Sequence, residues 1–171
     1  MLHSAMMLSV AIAFVIPAAT SAQDRKAELQ ELVFGLCPRI LAGTVSLMDE
    51  AQVKAVGFSS TAPRGTPGGK LPRAEKGSGA DKVVLSSGPE TCSVWFGGPE
   101  NPQLAGGMVE RALAAKMSGS QMPQRLGDGT MVFVFRDKSA KRLVSIFLGD
   151  AGGELGLQPA TTVVMMNDKD K

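Results

Sequence analysis

The sequence predicts an α+β domain: a single antiparallel sheet of about five strands covered by helices, in the element order α-α-β-β-α-β-β-β. Three observations lead there. Residues after position 22 repeat apolar side chains at helical spacing. The second half of the chain carries short β-branched and aromatic runs bounded by turn residues. One helix-start signal interrupts those runs. Strands with helices gathered outside them point to one sheet with segregated helices, and 171 residues leave room for one such domain.

Residues 1–22, MLHSAMMLSVAIAFVIPAATSA, read as a signal peptide. An apolar run from Met6 to Ile16 breaks at Pro17 and ends in small residues, which places cleavage after Ala22 with Thr20 and Ala22 as the small side chains recognised. The run is shorter than the ~20 apolar residues that span a bilayer. No later run approaches that length, so the sequence predicts no stable membrane insertion after cleavage and a location in the periplasm or outside the cell. The composition, rich in Ala and Gly, inclines toward a bacterial source. The domain is expected over residues 23–166, followed by a disordered charged tail at 167–171.

The first helix begins near Asp24, and Leu29, Val33 and Cys37 lie on one i, i+4 line that should face the core. Pro38 removes a backbone donor and predicts a kink or restart at Cys37–Pro38. A short second helix is expected in SLMDEAQVKAVGF, with Ser46 as cap, Asp49 three residues on and Gly57 at its end. Residues 59–82 are rich in Pro, Gly, Ser and charge without periodicity, and are expected to form a flexible loop.

Strands follow in KVVLSS and TCSVWF, separated by the turn signal Gly88–Pro89. Asn101 and Pro102 then open a helix whose apolar face is Leu104, Met108, Ala112 and Leu113, with Gly106 and Gly107 expected to allow close approach to the sheet. TMVFVFR and RLVSIFLG form the strongest hairpin signal, and both are apolar on both faces, as strands covered on two sides are. ATTVVMM is the last expected strand.

Composition closes several function classes. The 18 basic and 16 acidic residues balance to +2 and are not clustered, so no nucleic-acid partner is expected. There is no tyrosine, and the single histidine, His3, falls in the leader, so the processed chain supplies no Ser–His–Asp or Cys–His site and no histidine-containing metal site. Neither a metal nor a cofactor is expected. RGTPGGKL at 64–71 lacks the first glycine and the Ser/Thr of a phosphate-binding loop and follows no expected strand. GDGT at 127–130 precedes a strand, the wrong order for a dinucleotide fingerprint.

Two cysteines in an exported chain are read as a disulfide. Strand parity puts Cys92, Val94 and Phe96 on one face, toward the core, so Cys92 and the inward Cys37 are expected to bond. Trp95 shares the other face with Thr91 and Ser93. It is expected either to cover a small cluster under the helix at 102–116 or to stand partly exposed as a binding anchor, with Glu100 and Asn101 beside it as further candidate binding residues.

No catalytic residue is assigned. The function expected is a non-catalytic binding or accessory role in the cell envelope or periplasm, toward an unknown protein or small-molecule ligand. Two alternatives remain open: a glycan-directed hydrolase using paired carboxylates among Glu90, Glu100, Glu110 and Asp128, and an interaction protein that uses the 59–82 loop.

Overall fold

In the computed structural model, nine strands among the described residues hydrogen-bond into one antiparallel sheet. The model describes residues 22–66, 69–98, 100–119, 122–127, 129–149 and 160–168, with the side chains of 62–70 outside the description. Residues 1–21 of the expected signal peptide at 1–22, Asp128 and residues 169–171 of the expected tail therefore lie outside the described residues.

In chain order the strands are β1 (Ser59–Thr66), β2 (Gly69–Lys76), β3 (Val83–Ser87), β4 (Thr91–Gly97), β5 (Ser118–Gly119), β6 (Gln124–Arg125), β7 (Met131–Asp137), β8 (Arg142–Gly149) and β9 (Ala160–Asn167). Their order across the sheet is β1-β2-β3-β4-β9-β8-β7-β5, with β6 also pairing β7. The expected five-stranded sheet is thus corrected to nine strands, with short helical segments only.

The additional strands lie where side-chain alternation is absent. Residues 59–82, expected to be a flexible loop, hold β1, β2 and a short 3-10 turn at Gly79–Asp81. β1 is an edge strand whose strand partner among the described residues is β2, to which backbone hydrogen bonds tie it. Its register shifts between Thr61 and Arg64, across Pro63, which has no N–H to give a ladder. In β2 only Ala74 enters the core, and one small residue carries no periodic signal. β5 and β6 are two residues each, too short for any pattern.

The helical segments pack on one face. Helix α1 (Ala22–Glu31) runs into a π turn at Leu32–Leu36 and then α2 (Cys37–Leu41). The Cys37 N–H donates to Leu32 O, an i→i−5 bond. Pro38 explains the widening: its ring crowds the carbonyl four residues back and it offers no N–H, so the helix takes in one extra residue instead of breaking. Helix α3 (Glu50–Ala55) is capped by Asp49, whose side chain accepts from the N–H groups of Ala51 and Gln52, and not by Ser46 as expected. Gly57 follows it at φ +79°, in the left-handed region that glycine enters without cost.

Helix α4 (Asn101–Ala114) buries Leu104, Ala105, Met108 and Ala112. Gly107 serves a different neighbour from the one expected. A Cβ there would lie 2.6 Å from Lys26 Cε, and Gln30 Nε2 donates to Gly107 O at 2.7 Å, so the glycine admits α1 and not the sheet.

Helix and sheet share one core, in which Leu29, Val33 and Met108 meet Val94, Phe96 and Ile146. The expected bridge between Cys37 and Cys92 is present, with a Cα–Cα distance of 5.5 Å, and it joins α2 to β4 across that core. Arg25 makes a second tie that the sequence does not announce. Its Nη2 donates to Ala80 O at 2.7 Å and to Gly97 O at 2.8 Å, and its Nη1 meets Asp81 Oδ1 at 3.2 Å.

Candidate functional site on the open face of the sheet

Antiparallel register sorts the sheet's side chains into two faces, because directly opposed residues point the same way. One row reads Ala74, Leu85, Val94, Val163, Ile146 and Phe133 from β2 to β7, and it lies against the helices. The next row reads Glu75, Val84, Trp95, Thr162, Phe147 and Val132, and it points away from them. A third row, Arg73, Ser86, Ser93, Val164, Ser145 and Val134, shares that second face. None of these open-face residues belongs to the core that helices and sheet share.

The open face is unusually apolar on its β7–β9 side. Val132 is buried among its neighbours, Phe147 and Val164 are half-buried, and Val134 is 40% exposed. A sheet face turned to water ordinarily alternates to polar residues. The described helices therefore cover one side of the two-sided apolar strands TMVFVFR and RLVSIFLG.

Trp95 stands near the middle, half-buried. Its indole leans along its own strand over Gly97: a Cβ at that glycine would lie 3.2 Å from Cη2 and 3.6 Å from Cζ2. The residues registered beside Gly97 are Ala160 and then Gly149, so small side chains border the ring on that flank. The sheet separates Trp95 from α4, and the expected alternative of a cluster under that helix is set aside.

The β2–β3 side of the face is charged. Arg73 Nε donates to Glu75 Oε1 at 3.0 Å, with Nη2 at 2.9 Å from the same oxygen, while Lys82 Nζ meets Glu75 Oε2 at 2.7 Å. Burial pushes the Glu75 carboxyl upward, but the hydrogen bond and charge of Lys82, followed by those of Arg73, outweigh it and hold the group below its ordinary value. Glu75 is thus ionised, and two cations share one anion. Next to this cluster the hydroxyls of Ser86 and Ser93 lie 2.6 Å apart.

The other candidate residues are not gathered here. Asn101 is fully buried in the first turn of α4, and Glu100 precedes it, both on the helix side of the sheet. Trp95, Glu100 and Asn101 therefore do not form one site. Among the described carboxylates proposed for hydrolysis, Glu100 stands apart from both Glu90 and Glu110. Glu100 and Glu110 are ten positions apart along α4, about 15 Å at helical rise, beyond the roughly 5–9.5 Å of a glycosidase pair. Glu90 lies before β4 and Glu100 after it, so the length of a strand separates them. Both cysteines are bonded, and among the described residues no three His, Cys, Asp or Glu side chains group as metal ligands.

Sequence reasoning passed over Arg73, Glu75, Lys82 and Phe147. The available signal was the i, i+2 spacing of Arg73 and Glu75, legible only once 69–76 is known to be a strand. No helix among the described residues is long and apolar enough to cross a membrane. Comparison with protein-family models, curated proteins and solved structures finds no match to this chain.

Proposed function

We propose that this chain is an exported, disulfide-stapled protein with a non-catalytic binding or accessory role in the cell envelope or periplasm, and that its binding surface is the open face of the sheet around Trp95. One observation carries the reading: a half-buried tryptophan sits on a sheet face that none of the described helices covers, beside an apolar strip and a charged cluster. Aromatic side chains in such settings supply large contact area at small cost in conformational entropy. The bridge between Cys37 and Cys92 supports the export half of the proposal, since disulfides persist in oxidising compartments.

Two experiments test the two halves. Expressed with its own leader, the chain should appear in the periplasmic fraction beginning at Gln23, with Cys37 and Cys92 in one linked peptide by non-reducing mass mapping. A full-length, reduced chain in the cytoplasm would refute export. For binding, oxidation of Trp95 by N-bromosuccinimide, compared at equal residual reagent, should slow severalfold when dialysed periplasmic extract is added to the purified protein. Equal rates with and without extract would refute the binding surface.

A further inference from the structure

Charge and apolarity lie at opposite ends of the open face, and together they specify a ligand. Both oxygens of Glu75 are engaged, Oε1 by Arg73 and Oε2 by Lys82. A guanidinium carries five N–H donors and an ammonium three, so two cations on one carboxylate leave donors in surplus and a net positive charge. The Arg73 side chain is only 9% exposed, so its guanidinium is held in place at low entropic cost to a ligand. The complement of this end is an anionic group rich in acceptors.

From Glu75 the row continues through Val84 to Trp95, then across Thr162 to Phe147 and Val132. At about 4.8 Å per strand, Trp95 lies about 10 Å from the charged end and Phe147 about 10 Å beyond it. A second copy of the chain fits less well. The apolar part spans three strands, roughly 14 by 25 Å or about 350 Å², less than half of the ~800 Å² that each partner contributes to a stable interface. A narrow strip with a cationic end matches a single elongated molecule.

We infer that the open face binds a fatty carboxylate, with its head on Arg73 and Lys82 and its acyl chain lying across Trp95 and Phe147. This deepens the binding surface proposed above and rests on it. The test titrates the oxidised protein with dodecanoate below its micellar concentration, with dodecanol and dodecyltrimethylammonium as neutral and cationic controls. Trp95 fluorescence and backbone amide shifts are the readouts. Dodecanoate should bind one to one, with shifts confined to β2–β4 and β7–β9, and at least about tenfold more tightly than either control. Lys82→Gln should weaken dodecanoate about fivefold or more and leave dodecanol unchanged.

Equal binding of all three probes, or no effect of Lys82→Gln, overturns the carboxylate assignment while the binding surface stands. Dimerisation through this face that dodecanoate does not disrupt, or binding only to anionic lipid vesicles, also overturns it. If no probe perturbs any open-face amide, the inference fails. The Trp95 oxidation experiment then judges the surface independently.

Discussion

Removal of the bridge by the double substitution Cys37→Ala/Cys92→Ala should destabilise the domain by about 4 kcal/mol. The two cysteines are separated by 55 residues, and closing a loop of that length removes about 4 kcal/mol of chain entropy from the unfolded state at 25 °C. Both cysteines are buried in the core, so loss of packing around the sulfurs adds to this figure. The closed loop contains α3, β1, β2 and β3, and without the bridge β4 and the helix side are joined only by packing and by Arg25. For a domain of this size the loss corresponds to a fall in Tm of about 10–15 °C. Urea denaturation of the oxidised protein and the double variant, followed by far-UV circular dichroism, reads the difference directly. The urea dependence should steepen slightly in the variant, because an unlinked unfolded chain exposes more surface. A difference below about 1 kcal/mol would refute the loop-entropy reasoning and place the stabilisation in the helix–sheet core alone.

Three further outcomes are expected. Arg25→Met keeps the aliphatic stem but leaves the carbonyls of Ala80 and Gly97 without their donor; it should cost about 2 kcal/mol by denaturation and speed amide exchange at the 3-10 turn. Unchanged exchange there would argue that Arg25 does not hold the turn to α1. Gly97→Ala places a methyl 3.2 Å from the Trp95 ring and should shift its emission maximum with a stability loss of about 1 kcal/mol or less; an unmoved spectrum would place the indole elsewhere.

The third concerns pH. Asp137 accepts from Ser139 Oγ at 2.6 Å and from the N–H groups of Ser139 and Ala140, and these bonds hold its carboxyl below its ordinary value of 3.8; Glu75 is held below 4.5 by its cations despite burial. A depressed folded value means the stabilisation is complete above the unfolded value and is lost as pH falls through the folded one. Stability should therefore be level above about pH 5 and decline on acidification. Asp137→Asn and Glu75→Gln should each flatten part of that decline in acid titrations, and an unaltered acid limb in both would contradict the assignment.

The parts of the fold legible in the sequence are those where a side-chain pattern meets the helix-side core. β4 was readable because Cys92, Val94 and Phe96 alternate with Thr91, Ser93 and Trp95, and the same parity directed Cys92 toward Cys37. β1 and β2 were not, because an edge hairpin is held by backbone hydrogen bonds and by the Arg73–Glu75–Lys82 ion pairs, neither of which leaves an apolar period. Helix capping was misassigned for a related reason: Ser46 and Asp49 are both good caps, and only the turn formed by Ser46 and Gln52 decides between them. Of the candidate site, strand parity separated Trp95 from the core but had no means of showing what stands beside it.

What the sequence alone determined is local or follows from parity: a leader-like apolar start that holds the single histidine, the inward cysteines, and Trp95 facing away from Val94 and Phe96. The tertiary structure alone decided which strands are neighbours beyond the β7–β8 hairpin. Pairing β4 with the distant β9 as well as with β3 puts Thr162 and Phe147 in register with Trp95, and pairing β2 with β3 sets Glu75 beside Lys82. The physical reason is that strand order rests on backbone hydrogen bonds, which are the same for every residue type, so side-chain spacing along one strand carries no record of its partner.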